Sequence, residues 1–113
     1  MKTTQTMMMM AALLAAPLVA SAETWANVSV VDTQCIDRVK ADPDKHETQC
    51  ALQCVKGGYG LITADGSYLK FDAAGNEKTH AALLATRKTD HLRATVVGDR
   101  SGDQIKVTSL VIE

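Results

Sequence analysis

The sequence predicts a mostly β (α+β) single domain of five strands and two helices, and three observations carry that reading. Five segments alternate apolar and polar residues, as strands with one buried face do. Asp65-Gly66 stands between two of them. That pair is the strongest short-range hairpin signal, because a two-residue turn of this kind needs positive φ at both positions. Helix starts and stops fall between the strand-like segments and not within them.

The N-terminus comes first. Residues 1–22 hold one basic residue, Lys2, an apolar run over 7–20, and Ala20-Ser21-Ala22 as a small-residue cleavage signal. This is the three-part pattern of a secretory signal peptide. The run spans about 14 residues, short of the roughly 20 that a membrane-spanning helix needs. No cysteine follows the small residues, so a lipid anchor is not expected. The expected product is one domain, residues 23–113, periplasmic or secreted and free of the membrane after cleavage.

Within that domain the first strand is expected at 24–32, with Trp25, Val28 and Val30 among polar neighbours and Asp32 at its end. Asp42-Pro43-Asp44 can cap and begin a helix, and Gly57-Gly58 can end it. Strands at 59–64 and 67–72 flank Asp65-Gly66. Asn76 can cap a second helix over 77 to about 87, with Ala81, Leu83 and Leu84 available for packing. The last strands are expected at 91–98 and 103–112, joined by Asp99-Arg100-Ser101-Gly102. In the final one, Ile105, Val107 and Ser109 share a face opposite Lys106, Thr108 and Leu110. Strand, helix, hairpin, helix, hairpin matches a five-stranded OB-like Greek-key barrel. That barrel carries a helix between strands 3 and 4, and here a further helix is inserted between strands 1 and 2. The other arrangement compatible with this order is an open antiparallel sheet with helices on one side.

Composition narrows the partners. Without Lys2, 11 basic residues face 13 acidic ones, interspersed and without a basic stripe. Charge-driven binding to nucleic acid or anionic lipid is therefore not expected. Trp25, Tyr59, Tyr68 and Phe71 are the only aromatics, too few for a base-stacking platform. The expected partner is a small ligand or a protein, and the chain is expected to be a monomer. A core this small in an oxidising compartment would gain from a cysteine cross-link.

Chemistry concentrates in HETQCALQC, residues 46–54, and in Cys35. His46, Cys50 and Cys54 are spaced by four, so one continuous helix would align them on a single stripe. Residues eight apart would then lie about 12 Å apart along the axis. His46 and Cys54 could not share an ion, given metal bonds of roughly 2.0–2.3 Å. A four-ligand zinc or copper site of Cys35, His46, Cys50 and Cys54 requires the helix to begin near Thr48, with Glu47 or Thr48 as its cap. Soft thiolates favour Cu(I) and Zn(II). The other reading is a structural disulfide, with no cofactor. Cys50 and Cys54 on one helix converge poorly, so Cys35 is the better partner for either. Cys35–Cys54 is preferred because Cys54 neighbours Ala51 and Val55; Cys35–Cys50 is the alternative. The third cysteine would be a buried thiol.

Other motifs are weaker. The redox motif Cys-x-x-Cys is absent, and a Cys–His nucleophile lacks an evident third, orienting group. No catalytic residues are assigned, and an enzyme is not expected. His80 and His91 read as solvated surface residues, and 72–77 (DAAGNE) as a turn and not a calcium loop.

Trp25, Val30, Asp32-x-x-Cys35, His46, Cys50-x3-Cys54, Gly58, the Asp65-Gly66 hairpin, Val97-Gly98 and the closing GDQIKVTSL (102–110) form a pattern covering most of residues 23–113. It resembles a family of small exported bacterial OB-like proteins of unknown function. The resemblance implies a secreted binding or structural module and brings no established activity.

Overall fold

Why the strands curl into a cylinder is visible in two irregularities of their pairing. The structure, a computed structural model, describes residues 22–113; the leader read at 1–22 lies, apart from Ala22, outside the described residues. Five strands, β1 (Glu23–Asp32), β2 (Tyr59–Ile62), β3 (Tyr68–Phe71), β4 (Arg93–Ser101) and β5 (Gln104–Ile112), close in the order β1-β2-β3-β5-β4. All neighbours are antiparallel except β3 and β5. This is a mostly β chain with a closed barrel, consistent with an OB-like architecture and not with an open sheet.

In β1 the pairing with β4 slips between Trp25 and Val28, where Asn27 takes φ +52°. In β5 it slips around Thr108, because Val97 faces Ser109 while Gly98 faces Val107. Each bulge adds twist and lets a long strand bend around the barrel. Gly98 is needed at the second one, since a Cβ there would run into the Lys106 carbonyl. The β5 bulge also changes which face points inward. Ile105 and Val107 are buried as expected, but beyond Thr108 it is Leu110 and Ile112 that pack on the core while Ser109 is exposed.

Every strand sends an aliphatic side chain inside: Val30, Leu61, Leu69, Val96 and Ile105, each at most 2 % exposed. Burial of such a group contributes about 1.5–3 kcal/mol. Helix α3 (Ala73–Ala85) lies against β5 along a stripe of Gly75, Thr79 and Leu83. Ala81 and Leu84, expected to pack, are exposed. The start of α3 also differs from expectation. Asp72, not Asn76, is its cap, accepting from the Gly75 amide at 2.9 Å, so the segment read as a turn is the first turn of the helix. Asn76 instead accepts from the Tyr59 amide at 2.8 Å and anchors β2.

The Asp65-Gly66 hairpin forms with a different turn. Only Gly66 has positive φ (+85°), and the Gly66 amide donates to Thr63 O while Thr63 and Ser67 pair across the ends. That is a three-residue loop closed by a left-handed glycine. Asp65 spends its side chain on the Thr63 hydroxyl and the Ser67 amide. At the other hairpin, β4 continues to Ser101 and pairs it with Gln104, so the turn is shorter than expected.

The β1–β2 connection departs furthest from expectation. In place of one helix from Asp42 to Gly57, it contains α1 (Ile36–Val39), a single 3-10 turn at Pro43–Lys45, α2 (Thr48–Gln53) and another 3-10 turn at Val55–Gly57. Helices this short do not persist in water alone, so tertiary contacts must hold them. Arg93 of β4 grips Asp44 through two hydrogen bonds of 3.0 and 2.9 Å. No helix among the described residues is long and apolar enough to cross a membrane.

The Asp44 carboxyl is held below its ordinary value, chiefly by the hydrogen bond from Arg93 and then by its charge. Its contribution is therefore present above about pH 4, the ordinary carboxylate range, and is lost as pH falls through the lowered folded value. Half-exposed pairs of this kind are worth about 1 kcal/mol or less. Urea melts of wild type and Asp44→Asn should differ by that amount at pH 7, and the difference should shrink as pH falls below about 4. A difference that does not change with pH would show that the pair contributes through packing alone.

Candidate functional site

Asp32 ends β1 with its side chain fully buried, and the helical corner is arranged around it. The Cys35 amide donates to Asp32 Oδ2 at 3.0 Å, closing the turn that leads into α1. His46 approaches from the other side, its Nε2 2.6 Å from Oδ1, with the ring 4 % exposed. An ionised carboxylate only accepts hydrogen bonds, so Nε2 carries the hydrogen. The short separation is that of a charge-assisted bond.

His46 can turn inward because the chain is not helical there. His46 and Glu47 are both extended, with ψ of 121° and 144°, between the Pro43–Lys45 turn and α2. Helix α2 begins at Thr48, whose amide donates to Thr89 O at 2.8 Å and whose hydroxyl donates to Lys88 O at 2.6 Å. The segment before β4 thus sets the helix start. From the barrel side the Tyr59 hydroxyl donates to Ala51 O at 2.8 Å and pins the middle of α2. Burial, and then the nearby charge of Asp32, pushes the Tyr59 phenol up to about 12.

The three cysteines fall into unlike positions. Cys35 is buried, Cys54 at the end of α2 is half-buried, and Cys50 is exposed. Cys35 Sγ and Cys54 Sγ face each other at 4.0 Å as free thiols. Arg38, one turn along α1, donates from Nη2 to Cys35 Sγ at 3.0 Å. Burial and then the Asp32 charge raise the Cys54 thiol above its ordinary value. Cys50 lies instead on the wall of an open depression of about 520 Å³ that it shares with Cys35, Arg38, Asp42 and His46.

Of the four residues anticipated as metal ligands, the structure brings together Cys35 and Cys54. Their third neighbour is Asp32: ligand atoms of Asp32, Cys35 and Cys54 all lie within 4.8 Å of one another. His46 reaches that group through Asp32, and Cys50 stands outside it. Asp32 is the member of this cluster that sequence reasoning missed. It was visible only as the acid in Asp32-x-x-Cys35, and nothing in the spacing shows that His46 returns to it. It is also an orienting group for His46, although no cysteine sulfur hydrogen-bonds that ring among the described residues. Of the other histidines, His91 is exposed and paired with Asp90 at 2.8 Å, which raises its pKa, and His80 is half-buried on α3.

Comparison with protein-family models, curated proteins and solved structures gave no match, so the chain's own geometry carries the functional argument.

Removing the side chain that hydrogen-bonds a buried carboxylate leaves that group short of a partner, at a cost of about 1–3 kcal/mol or more. His46→Ala should lose that much in urea unfolding, while Cys50→Ser, at an exposed position, should change stability by about 0.5 kcal/mol or less. Maleimide labelling of the reduced native protein should modify Cys50 first, Cys54 slowly, and Cys35 only on unfolding. Equal costs for the two substitutions, or early labelling of Cys35, would contradict the site as described.

Proposed function

We propose that this chain is an exported OB-like binding and structural module without catalytic activity, in which a Cys35–Cys54 disulfide fastens the helical corner to the barrel. The observation that carries the proposal is the 4.0 Å approach of Cys35 Sγ to Cys54 Sγ while Cys50 faces solvent. The leader-like N-terminus supports an oxidising destination. There the two thiols give up two electrons and two protons to a disulfide oxidant of that compartment, and one S–S bond forms. Closing a loop between residues 19 apart in sequence stabilises the fold by about 3 kcal/mol. That constraint acts where the structure needs it, because α1 and α2 are too short to stand without anchors. It leaves Cys50 free on the wall of the depression, where a small ligand or a protein segment can be received.

Intact mass of protein recovered from the exported fraction tests this directly. The expected product lacks residues 1–22, is two mass units lighter than the fully reduced chain, and gives one titratable thiol, which tryptic mapping places at Cys50. Three titratable thiols, or a bridge involving Cys50, would overturn the disulfide, and retention of residues 1–22 would overturn the export.

A further inference from the structure

The same two sulfurs, when reduced, stand in an arrangement that a plain disulfide partnership does not require. A carboxylate oxygen of Asp32 is gathered with them, all three ligand atoms within 4.8 Å. Two thiolates bound to one tetrahedral zinc at about 2.3 Å sit about 3.8 Å apart. Cys35 Sγ and Cys54 Sγ are 4.0 Å apart. Little rearrangement is needed to seat an ion between them.

We propose that the reduced chain carries a zinc site made of the Cys35 and Cys54 thiolates and the Asp32 carboxylate. His46 holds the carboxylate from behind, and Arg38 balances the charge. The ligand set is mixed sulfur and oxygen, and the two thiolates select against hard ions such as calcium and magnesium. A ligating carboxylate works best when its orientation is fixed by a hydrogen bond. Asp32 has two such bonds, from His46 Nε2 at 2.6 Å and from the Cys35 amide at 3.0 Å. Three anionic ligands around a dication leave one negative charge in a largely buried place, and such a charge is costly unless paired. The Arg38 guanidinium, 3.0 Å from Cys35 Sγ, supplies the single positive charge that closes the balance. Binding forms two Zn–S bonds and one Zn–O bond and releases the two thiol protons to solvent, with no change of oxidation state. Three protein ligands leave one tetrahedral position for water or an outside ligand. Cys35 also walls the 520 Å³ depression from which such a ligand could enter.

The proposal rests on Cys35 and Cys54 acting as a pair, but it concerns the reduced protein. The disulfide is judged on exported material and the zinc site on reduced material, so either can fail alone. The test is anaerobic titration of the reduced, metal-free full chain with zinc against a chromophoric chelator, and with Co(II) for its thiolate charge-transfer band. Folding of each variant is checked by near-ultraviolet circular dichroism. The expected result is one ion per chain, loss of binding and of the band in Cys54→Ser, and binding weakened by about tenfold or more in Asp32→Asn. Cys50→Ser should bind as wild type does. If Asp32→Asn does not fold, Arg38→Gln takes its place, with weaker zinc binding expected at unchanged stoichiometry. The proposal is overturned if folded, reduced wild type takes up no stoichiometric zinc. It is equally overturned if Cys35→Ser/Cys54→Ser binds as well as wild type, or if Cys50→Ser abolishes binding.

Discussion

A carboxylate sealed from water must be answered by the protein around it, and the answer given to Asp32 organises the β1–β2 corner. Its two oxygens are taken by the His46 ring and the Cys35 amide. Each bond fixes a piece of chain that has little structure of its own. The Cys35 amide sets the turn into α1, and His46 draws the extended pair 46–47 down onto the barrel. Because those two residues are extended, α2 begins afresh at Thr48, and its far end delivers Cys54 opposite Cys35. The Asp32 bonds, together with the anchors of α2 at Lys88, Thr89 and Tyr59, bring the two sulfurs together.

The barrel makes that charge tolerable. Asp32 sits where β1 ends its pairing with Tyr59 of β2, and Tyr59 is itself 1 % exposed and bonded to α2. The carboxylate, the phenol and the thiol of Cys54 share one poorly solvated region, which raises both the phenol and the thiol. Such a region favours states that cancel charge there. A cation does so by pairing with the carboxylate, whereas a disulfide joins thiols that are already uncharged. Both proposals for this corner start from the same approach of two sulfurs, and redox conditions select between them.

The barrel was the legible part of the sequence, because strand alternation and turn residues are local signals. All five strands occur near their expected places, and Asp65-Gly66 marks a real hairpin. What escaped the sequence depended on long-range contacts. The bulge at Thr108 reverses the inward parity of β5, and it is set by pairing with β4. Asp72 outcompetes Asn76 as the α3 cap because its carboxylate also takes the Val107 amide, 35 residues away. The helix start at Thr48 depends on Lys88 and Thr89, far along the chain. The cysteine pairing preferred from sequence, Cys35 with Cys54, rested on which face of α2 turns inward. The role of Asp32 could not be read, because a histidine 14 residues away offers no periodic clue.

The whole corner depends on His46 being held by Asp32 through Nε2–H. Long-range proton–nitrogen correlation spectra of the imidazole measure this directly. For the reduced protein at neutral pH, the expected spectrum shows a single His46 ring with its hydrogen on Nε2, slow to exchange with solvent and absent from an Asp32→Ala spectrum. A ring protonated on Nδ1 alone, or one averaging rapidly between tautomers, would contradict it.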